Sequence, residues 1–89
     1  MGLKQTSSCL GYQQITDLDP AVGLTVPIGA TYCVIVAETA TVRWRDDGGI
    51  PTGSVGMPLA AGVTLLYDGA LKAIQFFSAT GGISVSYYQ

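Results

Sequence analysis

Glycine and proline recur so often along this chain that no long regular element fits between them. The 12 Gly and 4 Pro divide the sequence into short runs rich in Val, Ile, Thr, Tyr and Phe. Short β-prone runs bounded by turn residues predict a sandwich or barrel of strands. No segment keeps a 3.6-residue apolar period over three turns, so no helix is predicted.

The runs place seven or eight strands. The first covers 8–15, and Asp17-Leu-Asp-Pro20 then reads as a turn, because Asp and Pro favour turn initiation. A short strand at 22–26 ends at Pro27 and Gly29. The run 31–38 is apolar on both faces, which predicts a central strand covered on both sides. Across 41–47 the alternation is clean, with Val42 and Trp44 pointing into the core and Arg43 and Arg45 outward. Asp46-Asp-Gly-Gly49 breaks that strand. The loop 48–56 is too long for a tight hairpin and is expected to cross between sheets or cover an edge. Pro58 makes 57–60 an edge strand, since proline cannot donate to a central ladder. Strands at 63–67, 71–78 and 83–88 follow, separated by Asp68-Gly69 and Thr80-Gly-Gly82. In the last strand Ile83, Val85 and Tyr87 share one face, and Ser84, Ser86 and Tyr88 share the other. The short glycine connection predicts that the last two strands form a terminal hairpin. The expected fold is all-β: two antiparallel sheets packed face to face in a single domain over 1–89, with 1–7 as an extended N-terminal arm.

The absence of His excludes a Ser-His-Asp triad, a Cys-His pair and a His zinc site within one chain. A net charge of -2 and a pI near 4.5 argue against nucleic acid as a partner. Only 11% of residues are charged, against roughly 25% in an ordinary soluble domain, which raises the question of a membrane. The two charge-free stretches, 20–37 and 48–67, are each interrupted by glycine and proline and do not read as spanning helices. The first eight residues hold no apolar core of signal-peptide length, so the expected place of synthesis and assembly is the cytosol.

Candidate sites divide into structural and functional readings. Cys33 sits in the most apolar run and reads as a small buried hydrophobe; it has no metal or redox spacing with Cys9. Asp46, Asp47 and Asp68 lack the ligand spacing of a calcium loop and fit turn chemistry. No carboxylate pair is marked as an acid and base, and no phosphate-binding glycine motif occurs, so no enzyme activity, cofactor or metal is expected. Arg43 and Arg45 stand on one face near Glu38, Asp46 and Asp47, either as a solvated ion-pair cluster or as a partner-contact patch. Tyr87 and Tyr88 point to opposite faces, so one of them is exposed or lies in an interface. An exposed Tyr12 or Tyr88 is the aromatic that a sugar-binding surface would use.

The run Val42-Arg-Trp-Arg-Asp-Asp-Gly-Gly-Ile-Pro-Thr-Gly-Ser-Val-Gly-Met-Pro-Leu resembles a motif of small structural proteins of tailed bacteriophages, VRWRDDG-x-x-PT-x-x-x-GM-x-L-x-AG. The match runs from Val42 through Gly62. Looser similarity extends from about Gly11 to Tyr88, through Leu24-Thr-Val-Pro-Ile-Gly-Ala, Tyr67-Asp-Gly and the closing Ser84-Val-Ser-Tyr-Tyr88. The resemblance implies a jelly-roll-like sandwich and a role in the virion, most directly as a capsid decoration or cement protein. It brings no catalytic motif.

On that basis the expected partner is the major capsid protein or another virion protein, with the chain itself a homotrimer or dimer. Arg43, Arg45, Asp46, Asp47 and Tyr88 are the candidate contact residues. The shortage of charge fits burial in an assembly, because exposed strand edges otherwise need charged guards. The alternatives are a tail, adaptor or head-fibre-base component, and a small carbohydrate-binding module that touches the host surface.

Overall fold

The computed structural model describes residues 8–89, so the expected arm at 1–7 lies outside the described residues. Eight strands follow in chain order: β1 (Cys9–Ile15), β2 (Leu18–Gly23), β3 (Tyr32–Ala37), β4 (Val42–Arg45), β5 (Met57–Leu59), β6 (Thr64–Tyr67), β7 (Gln75–Ser78) and β8 (Ile83–Tyr88). They form two four-stranded antiparallel sheets, β1-β8-β3-β6 and β2-β7-β4-β5. The all-β sandwich expected from the glycine and proline spacing is therefore the fold.

Alternation along the strands builds the core. Cys33, Ile35 and Ala37 of β3 and Ile83, Val85 and Tyr87 of β8 are buried from the first sheet. Leu18, Val42, Leu59 and Phe76 meet them from the second sheet in one apolar cluster. Every inward residue of β3 and β8 is fully or almost fully removed from water, which is the main stabilising term for a domain this small. The Tyr87 hydroxyl is not orphaned by this burial, because it donates to Gln13 Oε1 at 2.6 Å. Gln13 in turn holds Thr25 through two further bonds, pinning the strap that follows β2. Leu24, Val26 and Ala30 of that strap pack against the core.

Four local expectations are corrected by the structure. Asp17-Leu-Asp-Pro20 is not a separate turn, and the second strand is not 22–26: β2 runs Leu18–Gly23. Asp17 Oδ1 does accept the Asp19 N–H in a local turn, but the buried Leu18 and the pairing of Val22 with Phe76 hold the segment in the sheet. Proline is tolerated there because β2 is an edge strand with an irregular register between Leu18 and Val22. Second, β7 begins at Gln75 rather than at residue 71. Ala70 accepts N–H bonds from both Ala73 and Ile74, and that turn buries Leu71 and Ile74 without a strand.

Third, β7 and β8 form no terminal hairpin; they belong to different sheets. The glycines between them serve close approach rather than a hairpin turn. A Cβ on Gly82 would lie 2.5 Å from the Ile15 carbonyl oxygen. The buried Ser78 hydroxyl accepts the Gly81 N–H and donates to the Thr41 carbonyl, so the crossover leaves no orphaned side-chain group. Fourth, the loop 48–56 does not pass between sheets, because β4 and β5 are paired neighbours. It folds back over the outer face of its own sheet, where Pro51 is buried, Gly53 lies against Phe77 and Arg43 donates to the Gly56 carbonyl at 2.8 Å.

Candidate interaction site

The outer surface of the β1-β8-β3-β6 sheet is set by the same alternation that fills the core. Strand registers place Gln14, Ser84, Val36 and Thr64 in one row across the sheet. Tyr12, Ser86, Val34 and Leu66 form the next row. Tyr88 lies beside Tyr32 with ring centroids 5.2 Å apart and planes 14° from parallel. None of the four strands of this sheet contains a charged residue. Tyr12 and Leu66 are exposed, and Val34 and Val36 are half-buried. The expectation that β3 is covered on both sides is thus corrected: β3 is central in its sheet, but among the described residues no layer lies over its outer side.

Polar groups on this face are tied to each other. The Tyr12 hydroxyl donates to Ser84 Oγ at 3.1 Å, and Ser84 donates to the Glu38 carboxylate at the rim. What remains between Tyr12, Val34, Val36, Ser86 and Tyr88 is a shallow depression of about 180 Å³. Apolar and hydroxyl groups without net charge suit association by shape and burial rather than by charge.

A second site lies where β4 ends and β5 begins. Trp44, Arg45, Asp46, Asp47, Gly56 and Met57 line an open depression of about 360 Å³. Trp44 points inward as expected, and it meets Tyr67 edge-on with centroids 6.0 Å apart. It is only partly buried, however, so it lines this depression as well as packing on the core. Arg45 is bonded to both oxygens of Asp47, at 3.0 and 2.6 Å. Asp47 also accepts the Gly49 N–H. The Arg45 guanidinium and that N–H together hold the Asp47 carboxyl down at about 2. A carboxylate fixed in its charged form suits binding and not proton transfer at neutral pH.

The structure brings Arg45, Asp46 and Asp47 together. Arg43 stands on the same face, where its Nη1 donates to the Gly56 carbonyl beneath the folded-back loop. Tyr88 belongs to the other sheet and shares no site with them. Of the two cysteines, Cys9 is exposed; Cys33 is buried, and burial pushes its thiol up to about 11. Among the described residues no three Cys, Asp or Glu side chains converge as metal ligands. The sequence reading missed Val34, Val36, Tyr32 and Leu66 as surface residues. The signal available for them was the Ser-x-Ser-x-Tyr alternation of β8, whose outward side must continue onto whichever strands flank it.

The class these features define is an eight-stranded antiparallel β-sandwich with one uncharged outer face. Comparison with known proteins gives no match to a family model, a curated protein or a solved structure.

Proposed function

We propose that this chain is a non-enzymatic structural subunit of a tailed-phage virion, a decoration or cement protein seated on the outside of the capsid. The observation that carries this reading is the uncharged outer face of the β1-β8-β3-β6 sheet, with Tyr12, Val34, Leu66 and Tyr88 directed away from the core. The strand orders β1-β8-β3-β6 and β2-β7-β4-β5 also read as a rolled eight-strand ribbon, the jelly-roll plan used by capsid and lectin domains. The sequence motif from Val42 to Gly62 points the same way.

In this reading the protein acts mechanically. The uncharged face docks across neighbouring subunits of the major capsid protein and adds buried area to contacts that internal pressure strains. Removing the protein from particles should lower their heat resistance, and adding back wild-type protein should restore it. A Val34→Glu variant should fold and fail to restore it; particles equally stable with and without the protein would refute the proposal. Copy number separates a capsid role from a tail, adaptor or head-fibre-base role, since the latter needs only a few copies per particle.

A second reading, a carbohydrate-binding module, draws its support from the Trp44 depression rather than from Tyr12 or Tyr88. An indole beside fixed donors and acceptors offers a stacking face and hydroxyl partners. Trp44 is the only tryptophan, so quenching or a blue shift of its fluorescence on saccharide titration would report binding directly.

A further inference from the structure

A four-by-four sandwich has four edge strands, here β1, β6, β2 and β5. Edges expose unpaired N–H and C=O groups, and proteins that stay monomeric guard them with bulges, proline, charge or a covering segment. Three of these edges carry such a guard. β1 has a register shift between Cys9 and Gly11, and the strap after β2 is bonded to its Gln13. β2 contains Asp19 and Pro20 and an irregular register. β5 is three residues long with Pro58 at its centre. Among the described residues β6 has no bulge, proline, charge or covering segment. Its sequence is Thr-Leu-Leu-Tyr, its register with β3 is unbroken from Cys33–Tyr67 to Val36–Thr64, and Leu66 is 67% exposed. Val63 just before it and Met57 on the facing edge strand are exposed as well.

We propose that β6 pairs antiparallel with β6 of a second copy of this chain, joining the two β1-β8-β3-β6 sheets into one continuous eight-stranded sheet across a two-fold axis. A two-fold perpendicular to the sheet keeps both cores on the same side, so residues that face the same way must oppose one another. Leu66 then sits opposite Leu66 of the second copy, Leu65 opposite Tyr67, and Thr64 opposite Asp68. This register buries the exposed Leu66 pair and places no like charges face to face. A charged partner edge has nothing to pair with on β6, whereas an identical uncharged edge is complementary to it. This inference does not depend on a virion role.

Sedimentation equilibrium of the purified chain tests it. The expected species are monomer and dimer only, and Leu66→Lys, with the fold checked by circular dichroism, should weaken the dimer by roughly tenfold or more through opposed charges. In a Cys9→Ser background, Leu66→Cys should cross-link to dimer under mild oxidation, while Gln14→Cys on the far edge of the same outer face should not. A strictly monomeric or a trimeric wild type, a Leu66→Lys variant that dimerises unchanged, or equal cross-linking at positions 14 and 66 would each overturn the proposal.

Discussion

The Tyr67 hydroxyl donates to Asp46 Oδ2 at 2.7 Å, tying the edge strand of one sheet to the loop that leaves the other. Tyr67 is itself nearly buried and meets Trp44 edge-on, so this bond anchors one wall of the Trp44 depression. Tyr67→Phe removes the bond but keeps the ring and its packing. The expected cost is about 1 kcal/mol, because exposed Asp46 regains water when its partner is lost. Urea unfolding of the variant measures it; a loss above about 3 kcal/mol would mean that the ring had moved.

The same tyrosine makes the fold sensitive to alkali. Burial, and for Tyr67 also the bond to Asp46, pushes the hydroxyls of Tyr67 and Tyr87 up to about 12. The folded state therefore prefers the neutral phenol more strongly than the unfolded chain does. Its contribution is fully present below pH about 10, the ordinary tyrosine value, and is lost as pH rises through 12. The urea midpoint should stay flat from pH 8 to pH 9.5 on this account and fall steeply above it. Tyr87→Phe should flatten part of that fall, and an unchanged slope in this variant would contradict the assignment.

Asp47 gives the opposite sign. Its carboxyl lies at about 2 because Arg45 and the Gly49 N–H favour the charged form. Whatever the pair adds to stability is present above pH about 4 and lost as pH falls through 2. Carbon-detected titration should place the Asp47 midpoint near 2 in the wild type. Replacement by Arg45→Gln should move it up towards the ordinary aspartate range. A midpoint that ignores Arg45 would mean the pair does not persist in solution.

Strand positions were legible where β-prone runs and turn residues agreed. β1, β3, β4, β5, β6 and β8 lie within one or two residues of their predicted bounds, because turn residues mark the breaks between the β-prone runs, although only 41–47 and 83–88 alternate cleanly in sequence. Strand pairing was not legible. The Thr80-Gly-Gly82 segment looks the same in sequence whether it turns a hairpin or crosses a sandwich, and the two are distinguished by the pairing of β7 with β2 and β4 and of β8 with β1 and β3. The outer-face site was lost for the same reason. Val34 and Val36 read as core until β8 and β6 are known to flank them with no covering layer among the described residues. For Arg45, Asp46 and Asp47 the sequence sufficed, since consecutive residues at a strand end must lie together.

One-sided burial of β3 is directly testable. Ile35 is fully buried, and its neighbour Val34 faces outward. Ile35→Ala should cost about 2–5 kcal/mol through lost transfer energy and the cavity left behind. Val34→Thr keeps the branched shape and should cost about 0.5 kcal/mol or less in the free protein. Equal losses at the two positions, measured by chemical denaturation, would show that the outer face is covered after all.

The crossover between the sheets makes the sharpest stability prediction. A methyl group on Gly82 would meet the Ile15 carbonyl oxygen and the Thr16 Cα, both backbone atoms that cannot rotate away. Gly82→Ala must therefore push the end of β1 from β8, where Ile15 pairs with Ile83. The expected loss is about 1–3 kcal/mol, the range for overpacking in a tight interior. Gly53→Ala is the control, since its added carbon would sit 3.7 Å from the Phe77 ring in ordinary contact. That variant should stay within about 0.5 kcal/mol of wild type or gain slightly, as the unfolded chain loses freedom. If Gly82→Ala is as mild as Gly53→Ala, the end of β1 does not lie against Gly82 as the structure places it.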